Sequence, residues 1–125
     1  MLMNRREMLT YSLASAALML TGCKSNTTTV VVVNKTGAKV SIVASASAQG
    51  KTYKFNKKNI ANGKSAKQKY VTKLNKGSKV NFVVSSLKIG NTNVPPNQIP
   101  NLSVVVGKTN TFTIDKNGNV TVKVS

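Results

Sequence analysis

Ala38-Lys39-Val40-Ser41-Ile42-Val43-Ala44-Ser45-Ala46-Ser47-Ala48 is the stretch that decides the fold. Val40, Ile42, Ala44 and Ala46 point one way, and Lys39, Ser41, Ser45 and Ser47 the other. Val43 breaks the polar side. A period of two is the mark of a half-buried strand, because successive side chains leave opposite faces of the pleat. Just before it, Val30-Val31-Val32-Val33 is a dense β-branched run suited to a strand. Asn34-Lys35-Thr36-Gly37 between them has turn chemistry, since Asn and Gly tolerate positive φ. Strand, turn and strand predict an opening hairpin.

The same grammar runs to the end of the chain. Gln49-Gly50 breaks the pattern, and Thr52-Tyr53-Lys54-Phe55 is a short strand candidate. Lys57 to Ser65 is polar, with Asn62-Gly63 as a turn and Ile60 as a core plug. From Ala66 to Leu74, Lys67, Lys69 and Lys73 point outward and Tyr70 and Leu74 inward. Asn75-Lys76-Gly77 turns the chain. Val80, Phe82 and Val84 form the next inward set, and Leu87 and Ile89 extend it. Gly90 to Pro100 is the longest irregular stretch, stiffened by Pro95 and Pro96, which carry no backbone donor. Leu102 to Val106 and Thr109 to Ile114 are strands. Asp115-Lys116-Asn117-Gly118 is a hairpin turn, and Val120, Val122 and Val124 close the chain in alternation. About seven or eight short strands and no helix predict an all-β fold, a single small antiparallel β-sandwich.

Residues 1–22 read differently. Arg5 and Arg6 precede a short apolar run from about Leu9 to Leu20, and small residues lead up to Cys23, the only cysteine. A charged start, an apolar middle and small residues before a cut site make a secretory signal peptide. The run is shorter than the ~20 apolar residues of a membrane span and carries Thr10, Ser12 and Ser15.

Leu20-Thr21-Gly22-Cys23 resembles the lipobox of bacterial lipoproteins: Leu, a small residue, Gly or Ala, then Cys. The resemblance implies recognition of Leu20, Thr21 and Gly22 by the lipoprotein signal peptidase, cleavage before Cys23 and a covalent lipid on its sulfur. Two or three acyl chains, at about 0.8 kcal/mol per buried methylene, anchor a protein where one chain does not. Asn4-Arg5-Arg6-Glu7-Met8-Leu9 is similar to a twin-arginine export signal, although Met8 and Thr10 depart from its pattern. An ordinary basic start accounts for the arginines equally well, and Met1 and Met3 are both candidate initiators. By the enteric sorting rule, Lys24 after the lipidated cysteine favours the outer membrane.

Three segments are thus expected: a signal peptide over 1–22, a lipidated polar tether over 23–29 and a β-sandwich over 30–125. Without residues 1–22, 103 residues remain, enough for one domain. They hold 17 lysines, no arginine and one acid, Asp115, a formal charge of +16. An AT-rich genome accounts for abundant Lys and Asn, but not for missing acids. Such a field attracts polyanions: lipopolysaccharide phosphates, anionic headgroups, wall polymers and extracellular DNA. Lysine is a point charge without the guanidinium fork, so no specific nucleic-acid readout is expected. Lys54, Lys57, Lys58, Lys64, Lys67, Lys69 and Lys73 crowd the middle of the chain and form the candidate polyanion patch. A soluble lysine-rich face that discourages edge pairing is the plainer reading.

Chemistry is sparse. With no His and two acids in all, carboxylate pairs, Ser-His-Asp triads and zinc or calcium cages are ruled out. No serine sits in an elbow that would make a Ser-Lys dyad. Gly50-Lys51-Thr52, Gly63-Lys64-Ser65 and Gly107-Lys108-Thr109 mimic the end of a phosphate loop but lack its first glycine. The expectation is a non-enzyme without cofactor beyond the lipid on Cys23. Its expected partners are the bilayer and a protein of an envelope complex. In size, anchor and β content the plan resembles the TssJ lipoproteins of type VI secretion. Val94, Pro95, Pro96 and Ile99 form the candidate partner loop, with Val94 and Ile99 as exposed anchors.

Overall fold

The computed structural model describes residues 14–15, 17–18 and 25–125. Contacts divide the chain into two units, Thr27–Tyr70 with Lys76–Ser125, and Met1–Asn26 with Val71–Asn75. Arg5, Arg6, Leu20, Thr21, Gly22 and Cys23, which carry the expected export and lipidation signals, lie outside the described residues.

The larger unit is an all-β sandwich. Its strands are β1 (Asn26–Lys35), β2 (Val40–Ala48), β3 (Lys51–Ile60), β4 (Ser65–Thr72), β5 (Lys79–Ile89), β6 (Thr92–Asn93), β7 (Leu102–Val105), β8 (Thr109–Asp115) and β9 (Val120–Val124), of which Asn26 in β1 and Val71 and Thr72 in β4 are grouped with the smaller unit. One sheet runs β9-β8-β1-β4, and the other runs β3-β2-β5-β6, with β7 also on β5. Most pairs are antiparallel, but β1 and β8 are parallel, with Val32 opposite Phe112. Val40, Ile42 and Phe82, predicted inward from period two, meet residues of the opposite sheet in the core. Val30, Val32, Phe112 and Ile114 from one sheet pack with Val40, Ile42, Phe55, Phe82 and Leu87 from the other. Each such side chain contributes roughly 1.5–3 kcal/mol on burial.

The opening hairpin does not form. β1 and β2 belong to different sheets, and residues 36–39 carry the chain across. A hairpin would leave the apolar faces of both strands on one side of one sheet. Placing them in opposed sheets buries Val30 and Val32 against Val40 and Ile42. Asn34 holds the crossing. It is fully buried, and its Nδ2 donates to the carbonyls of Ala38 (2.6 Å) and Ile60 (2.7 Å). Its Oδ1 accepts from the Thr36 N–H (2.9 Å) and the Thr36 hydroxyl (2.7 Å).

Two further boundaries differ from expectation. The tether does not extend to Thr29, since β1 begins at Asn26 and Thr28 and Thr29 are buried. The Thr28 hydroxyl accepts from the Gly107 N–H, and the Thr29 N–H donates to the Lys108 carbonyl. The short strand expected over 52–55 runs instead to Ile60. A bulge explains how. Ile42 faces Lys57 and Val40 faces Ile60, so β3 has one residue more than β2 in that interval. Asn59 takes φ 56° there, and its N–H donates to the Ser41 hydroxyl. The extra residue lets Phe55 and Ile60, of opposite parity, both face the core.

The break at Gln49-Gly50 and the predicted turn at 115–118 are both hairpins. Gln49 and Gly50 both have positive φ (50° and 76°), which suits the twist of flanking strands. Asp115 closes the β8–β9 turn, its Oδ1 accepting from the N–H groups of Asn117 and Asn119.

In the smaller unit, Thr72 and Leu74 are buried. The Asn26 side-chain amide donates to the Leu74 carbonyl at 2.8 Å.

Candidate functional site: a lysine-lined edge

Strands β3 and β4 each end the order of their sheet. They are consecutive in sequence, joined by the turn at 61–64, and so lie along the same side of the sandwich. The Tyr53 and Tyr70 rings meet edge to face across that side, with centroids 5.9 Å apart. The Tyr70 hydroxyl donates to the Lys54 carbonyl at 2.5 Å. Burial pushes the Tyr70 phenol up to about 12, because the phenolate would lose water without gaining a positive partner.

This side gathers six of the seven predicted lysines. Lys54 and Lys58 leave the outer face of β3, opposite to Phe55. Lys67 and Lys69 leave the outer face of β4, opposite to Gln68 and Tyr70. All four are exposed. Lys64 stands in the joining turn. Lys57 is half-buried on the inner side of β3, with its Nζ 5.9 Å from the centroid of the Phe55 ring, a cation–π distance. The six therefore do not form one flat face. They line an edge, with ammonium groups directed to both flanks and a tyrosine pair between them. Lys73 lies in the smaller unit and is exposed. Asp115 is the one acid among the described residues, and its carboxylate caps the turn at the end of β8.

The candidate partner loop has a different character from that expected. Val94 and Ile99 are half-buried and pack against the core. They do not stand out as exposed anchors, because apolar side chains flanking the prolines bury more area by folding inward. The Val94 N–H donates to the Leu87 carbonyl at 2.8 Å. Pro96–Gln98 form a 3₁₀ turn, so the exposed rim of the loop is Pro95, Pro96, Asn97 and Gln98.

The three Gly-Lys-Thr/Ser fragments are turns that start strands. Gly50, Gly63 and Gly107 have φ of 76°, 78° and 79°, and β3, β4 and β8 begin within two residues of them. Among the described residues, no cluster of His, Cys, Asp or Glu has the makings of a metal site.

A second buried amide escaped the sequence reading. Asn110 is fully buried. Its Oδ1 accepts from the Val105 N–H (2.8 Å), and its Nδ2 lies within reach of the carbonyls of Val105, Lys108 and Thr29. The one signal was its place inside the alternation of Phe112 and Ile114, where a buried polar group needs partners.

No family model matches this chain, and neither a curated protein nor a solved structure matches it.

Proposed function

We propose that this chain is a lipid-anchored, non-catalytic binding protein of the bacterial cell envelope, and that its working surface is the lysine-lined edge of β3 and β4. The ligand class is polyanionic: lipopolysaccharide phosphates, anionic headgroups or wall polymers. One observation carries the reading. Seventeen lysines face a single acid outside residues 1–22, and six of them line two adjoining edge strands and the turn that joins them. Lysine neutralises phosphates as a point charge, so binding is strong at low salt and falls steeply as salt rises. The lipobox resemblance supports the anchor at Cys23, and Lys24 after it favours the outer membrane by the enteric sorting rule. Mass spectrometry of the native protein tests it, and an unmodified thiol with residues 1–22 retained sinks the placement.

Lipopolysaccharide binding across a salt series tests the ligand class. Lys54→Gln, Lys67→Gln and Lys69→Gln together are expected to lower the slope of log K against log salt by up to about 3, near 1 for each phosphate no longer neutralised. A slope that does not change, or no binding at low salt, rejects the reading.

The exposed Pro95–Gln98 rim favours a second reading, an assembly role of the TssJ kind. A proline-stiffened turn loses little entropy on docking. Deletion of residues 91–99 would then abolish co-purification with a membrane-complex partner, and unchanged partners would end this reading.

A further inference from the structure

Strand β9 ends its sheet at the side opposite to β4, with β8 as its neighbour. The backbone groups of Thr109 and Ser125 bond each other in both directions, and the Asp115 N–H donates to the Asn119 carbonyl. Such pairs alternate along an antiparallel ladder. With Phe112 opposite Val122, the residues that bond β8 are therefore Asn119, Thr121, Lys123 and Ser125. Val120, Val122 and Val124 turn their N–H and C=O groups outward, away from β8, with no strand beyond them among the described residues. Their side chains share the inner face of the sheet with Phe112 and Ile114. Even so, Val122 and Val124 are each 43% exposed.

The other edges are guarded. Lysines line β3 and β4, and β3 also bulges at Asn59. Beyond β5, β6 is only two residues long, and at β7 the Asn110 side chain occupies both the N–H and the C=O of Val105. β9 has no proline and no bulge in its pairing, and its one charge is Lys123. Natural sheets use such devices to block strand addition, and this edge has almost none.

We propose that β9 is an acceptor edge for an extended segment of a partner protein that alternates apolar and acidic residues. The outward backbone groups of the three valines extend the ladder, as in strand-addition recognition. Apolar residues of the incoming strand continue the inner layer beside Val122 and Val124. Its acidic residues fall on the outer face with Lys123. Charge decides between a foreign strand and a second copy. Each copy carries a formal charge of +16 without residues 1–22, so joining two sheets through β9 sets strongly like-charged domains side by side. An acidic strand meets the opposite field. This site is separate from the lysine-lined edge and goes beyond the polyanion reading.

The probe is a short capped peptide alternating valine and glutamate, added to the full chain. Amide hydrogen exchange is expected to slow about tenfold or more at Val120, Val122 and Val124, with Thr121 and Lys123 unchanged because β8 already holds them. Val122→Pro removes an outward N–H without touching the β8 ladder. It is expected to weaken the peptide about tenfold or more, near the value of one well-made hydrogen bond, while leaving lipopolysaccharide binding as it was. Three results overturn the proposal: protection confined to other strands, equal binding of a peptide with the same residues in two blocks, or a dimer that protects these amides without peptide. The exchange measurement on the unaltered chain decides the matter even if Val122→Pro does not fold.

Discussion

The rings of Phe82 and Phe112, one from each sheet, lie 7° from parallel with centroids 5.2 Å apart. Phe55 meets Phe82 edge to face at 6.0 Å. All three phenylalanines of the chain thus join in one cluster. Aromatic pairs in such offset or perpendicular arrangements add about 0.5–1.5 kcal/mol to their area burial. Phe82→Ala is expected to cost about 3–5 kcal/mol, read as a lower urea midpoint with an unchanged slope. Phe82→Leu keeps most of the apolar volume and should cost clearly less. A negligible loss for Phe82→Ala would mean that the sheets do not close on this cluster.

Asn34 offers a sharper test, because its four side-chain bonds hold the crossing between sheets. Asn34→Ala leaves the Ala38 and Ile60 carbonyls and the Thr36 N–H without this partner. The expected cost is about 2–3 kcal/mol or more, the penalty for buried groups left unmade. Asn34→Asp keeps the shape but turns a donor into an acceptor facing two carbonyls. At neutral pH it should destabilise at least as much in the same denaturation assay.

Asn59 occupies the left-handed region within the β3 bulge. Asn59→Val is expected to cost about 1–2 kcal/mol, because a β-branched side chain resists that backbone. Asn59→Gly should be near neutral, since glycine takes positive φ freely. Equal losses for both would show that side-chain packing, not backbone conformation, governs this position.

Tyr70 supplies a pH dependence. Its folded pKa is raised to about 12 by burial, against about 10 in an unfolded chain. The neutral phenol therefore favours the fold. This contribution is fully present below pH 10 and is lost as pH rises toward 12. Ultraviolet difference titration of wild type against Tyr70→Phe should assign the late phenol to this residue. Tyr70→Phe also removes the bond to the Lys54 carbonyl, at about 1 kcal/mol. The variant should lose less stability than wild type between pH 10 and 12, and parallel curves would refute the assignment.

Strand identity and facing were legible because they are local. A period of two declares which side chains share a face, whatever strand lies next to them. Val40, Ile42 and Ala44 on β2 and Phe82 on β5 were readable as inward, and all are buried. The Asp115–Gly118 turn was readable because its chemistry lies within four residues. The lysines were legible as charges, but not as the lining of one edge.

Local pattern did not extend to partnership. Val30–Val33 and Ala38–Ala48 have the spacing of a hairpin, yet they lie in different sheets. Pairing is settled by burying apolar faces from both layers at once, which involves residues as distant as Val32 and Phe112. The bulge at Asn59 had the same origin: one extra residue on β3 reconciles Phe55 with Ile60, and only the register against β2 reveals it. Asn34 and Asn110 carried turn-like or polar chemistry in sequence and became buried hubs, because the carbonyls that they satisfy are assembled by the fold. Composition and alternation thus specified a cationic all-β chain with known inward faces. Long-range closure decided which strands are neighbours and which edges are left open, because desolvation rewards the whole core and not its separate segments.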